Sequence, residues 1–292
     1  MRSLRRLVQA SLLLAAIGGA IGLWVTRPEN VDPTDFAGLT GQPARGEQVF
    51  HAAGCHSCHA SETDETQKAL VGGQAFPSDF GTFYAPNISS DPTYGIGAWS
   101  FLDFANALQK GVSPNGQHYY PAFPYTNYVR MKPQDVVDLW AYLLLEPGSP
   151  TPSKSHDIGF PFNIRRGLGA WKHLYLTQDW VVDDPASERG RYLVEALAHC
   201  GECHTPRNAI GGLDLSNWLQ GAPNPSGKGT IPAITPSKLQ WDAMDIAYYL
   251  EEGFTPDFDS AGGHMVSVVE NMAKLPTEDR DAIAAYLVGL SE

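Results

Sequence analysis

Cys55-His56-Ser57-Cys58-His59 and Cys200-Gly201-Glu202-Cys203-His204 carry the same C-x-x-C-H box. This is the pattern for covalent attachment of c-type haem: the two thiols add across the porphyrin vinyl groups, and the adjacent histidine is held beneath the ring as proximal iron ligand. The chain has 4 cysteines and 9 histidines, and the two boxes use every cysteine. Random placement of that composition gives about 0.002 matches to the box, so two are not an accident. A structural zinc site explains paired C-x-x-C but not the histidine that directly follows each pair. A thioredoxin-like redox pair would account for one box, not for two. The expected cofactor is therefore haem c, two per chain and covalently bound. Cys55, Cys58, Cys200 and Cys203 are the expected attachment sites, with His59 and His204 as proximal ligands.

The 292 residues suggest about two domains. The formal net charge is −12, and beyond residue 30 the chain carries 16 basic and 31 acidic side chains. Such a surface repels nucleic acid and suits a basic protein partner. Arg2, Arg5 and Arg6 precede an uncharged apolar run from Leu7 to Val25. That run, as a helix, is about 28 Å long, close to one bilayer core. Trp24 and Arg27 stand where interface anchors belong. The run is long for a cleaved signal peptide and lacks a clean A-x-A site near its end. Residues 1–30 are read as a retained anchor, with the haem-bearing part on the far side of the membrane from the cytoplasm.

The halves repeat. Gly46 matches Gly190 at an offset of 144, and Cys55 matches Cys200 at 145. Ala85-Pro86-Asn87-Ile88 matches Ile231-Pro232-Ala233-Ile234 at 146, and Trp99, Asp103 and Gly111 match Trp241, Asp245 and Gly253 at 142. Asp135 and Ala141-Tyr142-Leu143 match Asp279 and Ala285-Tyr286-Leu287 at 144. Each half predicts a short helix from about Ala44 or Ser187 with the box at its end, then a Gly/Pro-rich stretch. A middle helix (Phe101–Lys110, Asp242–Glu252) and a closing helix follow, the second closing helix N-capped by Thr277. Glu146–Ser153, with three prolines in six residues, reads as an extended spacer. Residues 160–180 are too apolar for a free linker and read as a segment packed on one or both halves.

Four stretches resemble the c-type cytochrome subunits of periplasmic, membrane-bound dehydrogenases, such as the alcohol and gluconate dehydrogenases of acetic acid bacteria. They are Ala85–Gly111, Tyr119–Tyr142, Cys200–Gly212 and Gly253–Leu287. Those subunits commonly carry three haem domains where this chain has two boxes, and often read YPAMPY where this chain has Tyr120-Pro121-Ala122-Phe123-Pro124-Tyr125. The fold class that follows is all-α: two tandem class I-like cytochrome c domains, 40–147 and 185–292, after the anchor helix, with 148–184 packed between them.

A low-spin electron-transfer haem needs a second axial ligand, and methionine raises its potential. Five methionines are present. With Phe123 in the resembled Met slot, Met131 is the candidate in the first half and His118 the fallback. In the second half Met265, on the resembled G-x-M position after Gly262-Gly263, stands ahead of Met272. Met244 is assigned to the packing stripe of its helix. His51, His56, His173 and His199 are read as hydrogen-bonded or exposed side chains. The carbonyl of Pro206 is a candidate acceptor for the ring N–H of His204. Arg207 is a candidate partner for a haem propionate, ahead of Arg165 and Arg166.

Two saturated haems leave no site for substrate, which makes the chain an electron carrier rather than an enzyme. The resemblance implies a periplasmic dehydrogenase as donor, and an oxidase, the quinone pool or another cytochrome as acceptor. A dihaem peroxidase needs a displaceable distal ligand. A thiosulfate-type haem resembles one with a cysteine ligand, and no spare cysteine exists. A dihaem component of a terminal oxidase is a further alternative. The pyridine haemochrome of the purified protein is expected to give two haems per chain, and Cys200→Ala combined with Cys203→Ala to leave one; loss of both would show that the halves do not fold separately.

Overall fold

The computed structural model describes residues 2–61, 69–225, 227 and 229–291. It is mostly helical, with two small antiparallel ladders added to the expected helices. Helix α1 (Arg2–Val25) has no buried residue and is long and apolar enough to cross a bilayer. After it, Val31 and Phe36 are buried against the first helical unit.

In that unit α2 (Pro43–Ala52) starts on Pro43, whose missing N–H costs nothing in the first turn. It does not run on into the box. Gly54 adopts the left-handed conformation (φ 59°) and re-aims the chain into a separate single turn, α3 (Cys55–His59). Strands β1 (Ala75–Ser78) and β2 (Gly81–Tyr84) form a hairpin. Helix α4 (Phe101–Ala105) opens on a capping box between Ser100 and Asp103 and continues as a π turn over Asn106–Lys110. The repeated aspartates Asp103 and Asp245 are thereby explained as capping residues. A short helix α5 (Tyr125–Tyr128) and the closing α6 (Pro133–Leu143) complete the unit.

Helix α6 packs on α2 across Gly46. A Cβ there would run into the carbonyl oxygen of Asp138. The Asp138 carboxylate is fully buried and accepts from Gln42 N (2.7 Å), Arg45 Nε (2.8 Å) and Gln134 Nε2 (2.9 Å).

The proline-rich stretch, expected as a spacer, is bound to the first unit instead. Asn87 Nδ2 donates to Ser149 O (2.9 Å) and Thr151 O (2.8 Å), and Ser149 N donates to Ser89 Oγ (3.0 Å). The following β3 (Asp157–Ile158) adds a third strand beside β2. Helix α7 (Gly167–Tyr175) then ties three parts together. His173 Nε2 donates to Val25 O (2.8 Å) at the end of α1, and Arg166 reaches Leu23 O (2.7 Å). Trp171 Nε1 donates to Ile210 O (2.9 Å) in the second unit. Lys172 Nζ enters the first unit, donating to Lys110 O (2.5 Å), Gly111 O (2.8 Å) and His118 Nδ1 (3.1 Å).

The second unit repeats the plan. Helix α8 (Glu188–Arg191), capped by Ser187, continues as a π turn over Tyr192–Leu197. The single turn α9 (Gly201–His204) carries the second box after Cys200. A ladder of β4 (Ala222–Pro223) with β5 (Thr230–Ile231) follows. Helices α10 (Pro236–Leu239), α11 (Ala243–Glu252), α12 (His264–Met272) and α13 (Thr277–Val288) close it. Gly190 meets α13 as Gly46 meets α6: its Cβ would strike Ala282 O. Thr277 is the first helical residue rather than the N-cap, which is Pro276; the Thr277 hydroxyl accepts from Arg280 Nη2 (3.2 Å).

Gly190→Ala is expected to cost about 1–3 kcal/mol by overpacking, seen as a lower urea midpoint at unchanged m-value. A second expectation concerns Lys172, which is buried beside the Tyr125 ring. Burial first, and the Lys110 charge second, bring its pKa down to about 7, against a smaller opposing pull from Glu29. The unfolded chain holds lysine near about 10.4, so between about pH 7 and about pH 10 it binds more protons than the fold, and stability rises with pH. Lys172→Met is expected to flatten that slope; an unchanged slope refutes it.

Candidate haem sites

Each box closes one helical turn, so its two cysteines and its histidine stand at i, i+3 and i+4 and share one face. The residue before each first cysteine is left-handed: Gly54 (φ 59°) and its counterpart His199 (φ 44°). The histidines are pinned from behind. His59 Nδ1 donates to Pro86 O (2.8 Å) and His204 Nδ1 to Pro232 O (2.7 Å), the two prolines that the repeat aligns. The carbonyl on His204 is thus Pro232's and not Pro206's. Pro206 O accepts from Asp214 N (2.8 Å), since the chain turns away from the imidazole after Thr205. With Nδ1 donating, Nε2 is a bare lone pair. Burial lowers the pKa of both imidazoles, which keeps them neutral as a ligand must be. Burial pushes the thiols up, Cys55 and Cys200 to about 12 and Cys58 to about 11. They are neutral thiols, each with the S–H that addition across a vinyl group consumes. The donor set fits haem c at both boxes.

The candidate sixth ligands of the two units are compared through backbone register. Val112 bridges His118 as Phe254 bridges Ser260. Ser113 N donates to Gln117 O (2.8 Å) as Thr255 N does to Asp259 O (2.9 Å), and Tyr119 N to Gly111 O (2.7 Å) as Ala261 N to Gly253 O (2.7 Å). All these pairs are 142 apart, and the same step brings Phe123 level with Met265. The longer α12 then absorbs two residues, and the offset becomes 144. Met131 N donates to Tyr128 O (2.9 Å) as Leu275 N does to Met272 O (3.0 Å). Met131 O is held by Gln109 Nε2 (2.9 Å), and Leu275 O by Arg280 Nη1 (2.6 Å). Arg280 in turn pairs with Glu251 (2.8 Å), the counterpart of Gln109. Met131 therefore stands where Leu275 stands; they are 3% and 4% exposed and both belong to the hydrophobic core.

His118 has both nitrogens engaged, Nε2 donating to Thr26 O (3.0 Å) and Nδ1 accepting from Lys172. Met265 is half-buried on the first turn of α12, and Met272 is in the core. Met244 is not on a packing stripe: it is 76% exposed.

The two box regions meet. Asn127 and Asn271, equivalent at an offset of 144 and both buried, each reach across to the other unit. Asn127 Nδ2 donates to Glu195 O (2.9 Å). Asn271 Nδ2 donates to Ser57 Oγ (3.0 Å), and its Oδ1 accepts from His51 Nδ1 (3.1 Å). Thr126 Oγ1 donates to Glu202 Oε1 (3.2 Å). Ala53 O accepts from both Tyr128 OH (3.1 Å) and His199 Nε2 (3.3 Å), whose rings meet edge-on at 5.7 Å. Cys203 is near enough to add to the rise in the Cys58 pKa. The contact has the form of a two-fold joint within one chain: α5 on the box helix of the second unit, α12 on that of the first. Sequence reasoning did not find Asn127 and Asn271, although their shared offset of 144 was available as a signal. Arg207 pairs with the Glu202 carboxylate and donates to Gly211 O (2.8 Å). Arg165 lies over the Tyr120 ring, and Arg166 is held at Leu23.

Two thiols and a neutral imidazole on one helical turn, with Nδ1 tied to a carbonyl, define a c-type cytochrome. A family model described as "Cytochrome c" matches residues 43–145. A "Diheme cytochrome c-type" protein of Cereibacter sphaeroides is 56% identical over 97% of this chain and 98% of its own length. The chain belongs to the dihaem c-type cytochrome family. It is also 35% identical to a fructose dehydrogenase cytochrome subunit of Gluconobacter japonicus, over 89% of this chain and 55% of that protein. A gluconate 2-dehydrogenase cytochrome c subunit of Pantoea cypripedii is 34% identical over 84% of this chain and 59% of its own length.

Proposed function

We propose that the chain is a membrane-anchored dihaem electron carrier of the periplasm, passing electrons from a dehydrogenase to the respiratory chain. It is read as two tandem class I-like cytochrome c domains, 40–147 and 185–292, joined by 148–184. The observation that carries this reading is the joint between the units: it sets the two boxes against each other through Ala53, Tyr128, His199 and the paired asparagines. When bound, each haem supplies an iron that cycles between two oxidation states. Cys55 and Cys58, or Cys200 and Cys203, would attach it, and Pro86 O and Pro232 O orient His59 and His204 toward it. Met265 would be a second protein ligand to the iron of the second site, and Arg207 would face a propionate there. Helix α1, whose end is docked on α7, holds the assembly at the inner membrane. The names of the fructose and gluconate dehydrogenase relatives support a dehydrogenase as donor. The acidic surface supports a basic docking face on it.

Affinity-tagged full-length protein, solubilised from membranes, is expected to carry a dehydrogenase with it, and that enzyme's substrate is expected to reduce the haems. Co-purification of an oxidase core instead, or haems that stay oxidised with substrate present, overturns the reading. Met265→Ala is expected to remove the methionine–iron charge-transfer band of the ferric protein and to lower one midpoint potential; an unchanged spectrum excludes Met265.

A further inference from the structure

We propose that the first site, in contrast to the second, offers the haem iron no protein ligand on the side opposite His59, and that the reduced iron there binds neutral diatomic π-acceptor ligands such as carbon monoxide or nitric oxide. The inference rests on the dihaem reading.

The argument is internal to the chain, because the second unit serves as ruler for the first. The backbone hydrogen bonds that lie within Gly111–Tyr119 are repeated within Gly253–Ala261. Carried four residues on, that register puts Phe123 where the second unit has Met265. A phenyl ring has no lone pair and cannot coordinate iron. Its ring is half-buried among the rings of Tyr119 (6.0 Å), Tyr125 (6.3 Å) and Tyr128 (5.9 Å), which together make an apolar wall suited to a small uncharged ligand.

Further side chains of the first unit are candidate donors, and none of the following is a ready iron ligand. Met131 takes the place of Leu275, with its side chain in the core and its carbonyl clamped by Gln109. His118 uses one nitrogen on Thr26 and the other on Lys172, and its counterpart is the exposed Ser260. The Tyr128 hydroxyl donates to Ala53 O. The Tyr125 hydroxyl has no hydrogen-bond partner among the described residues, but burial raises its pKa well above the usual phenol range and pushes the Tyr119 phenol up to about 12, so neither is a phenolate at neutral pH. The two units thus share a proximal side and differ on the distal side.

The test uses the full-length protein carrying both haems. Carbon monoxide added to the reduced protein is expected to shift the absorbance of one haem of the two. Ferric electron paramagnetic resonance is expected to show one high-spin and one low-spin centre. Phe123→Met is expected to abolish the carbon monoxide shift and to add a second methionine–iron charge-transfer band. Met131→Leu is expected to leave both readouts as in the parent. Two low-spin ferric centres with no carbon monoxide shift overturn the proposal, and so does a Met131→Leu variant that gains carbon monoxide binding. If either variant does not fold, the parent's two spectra decide. A protein that holds two haems and is reduced by its dehydrogenase but binds no carbon monoxide refutes this inference alone; a protein that holds no haem refutes the functional reading beneath it.

Discussion

The structure is organised around a demand made twice: an imidazole must stand on one helical turn with two thiols and be tied through Nδ1 to a backbone carbonyl. The carbonyl cannot come from the same turn. It arrives from 27 residues downstream at the first box and 28 at the second. A hydrogen bond at the back of the ring fixes which nitrogen carries the proton and which way the lone pair points. Much of each unit serves to deliver that carbonyl. The left-handed residue before the first cysteine re-aims the turn, and the loop from the box returns to run past its histidine. The closing helix holds the first helix in place through a glycine that leaves no room for a side chain.

Duplication of such a unit lets one chain make a two-fold joint with itself. Asn127 and Asn271 occupy the same place in their units and reach in opposite directions across the joint. The partners are not identical: Asn127 takes a backbone carbonyl, while Asn271 takes two side chains. Drift of this kind is tolerated where each polar group keeps a partner. It is not neutral where Phe123 stands in place of Met265, since a phenyl ring has no lone pair and a thioether has two.

The intervening segment 148–184 holds the halves in one arrangement. It adds a strand to the first unit, inserts Lys172 into it, contacts the second through Trp171 and receives the end of α1. A buried lysine among carbonyls and an aromatic face is kept because three acceptors meet its three donors, at the cost of a weakened hold on its proton.

The sequence by itself determined the chemistry and the periodicity. Two C-x-x-C-H boxes point to haem c because both thiols and the imidazole lie within one turn in each, and contiguous motifs of that kind need no tertiary information. The duplication, the capping aspartates' positions, the closing helices and the apolar span of α1 were legible for the same reason, being local patterns. Tertiary structure alone decided which carbonyl holds His204, because Pro206 and Pro232 both fit in one dimension and only the path of the chain separates them. It decided that the proline-rich stretch is bound and not free, since its partners Asn87 and Ser89 lie about sixty residues away. It decided the standing of Met131, which in sequence is a methionine before a helix and in space is the counterpart of Leu275. Equivalence between the halves is defined by register across a helix whose length differs between them, and only the backbone hydrogen bonds show where the two extra residues enter.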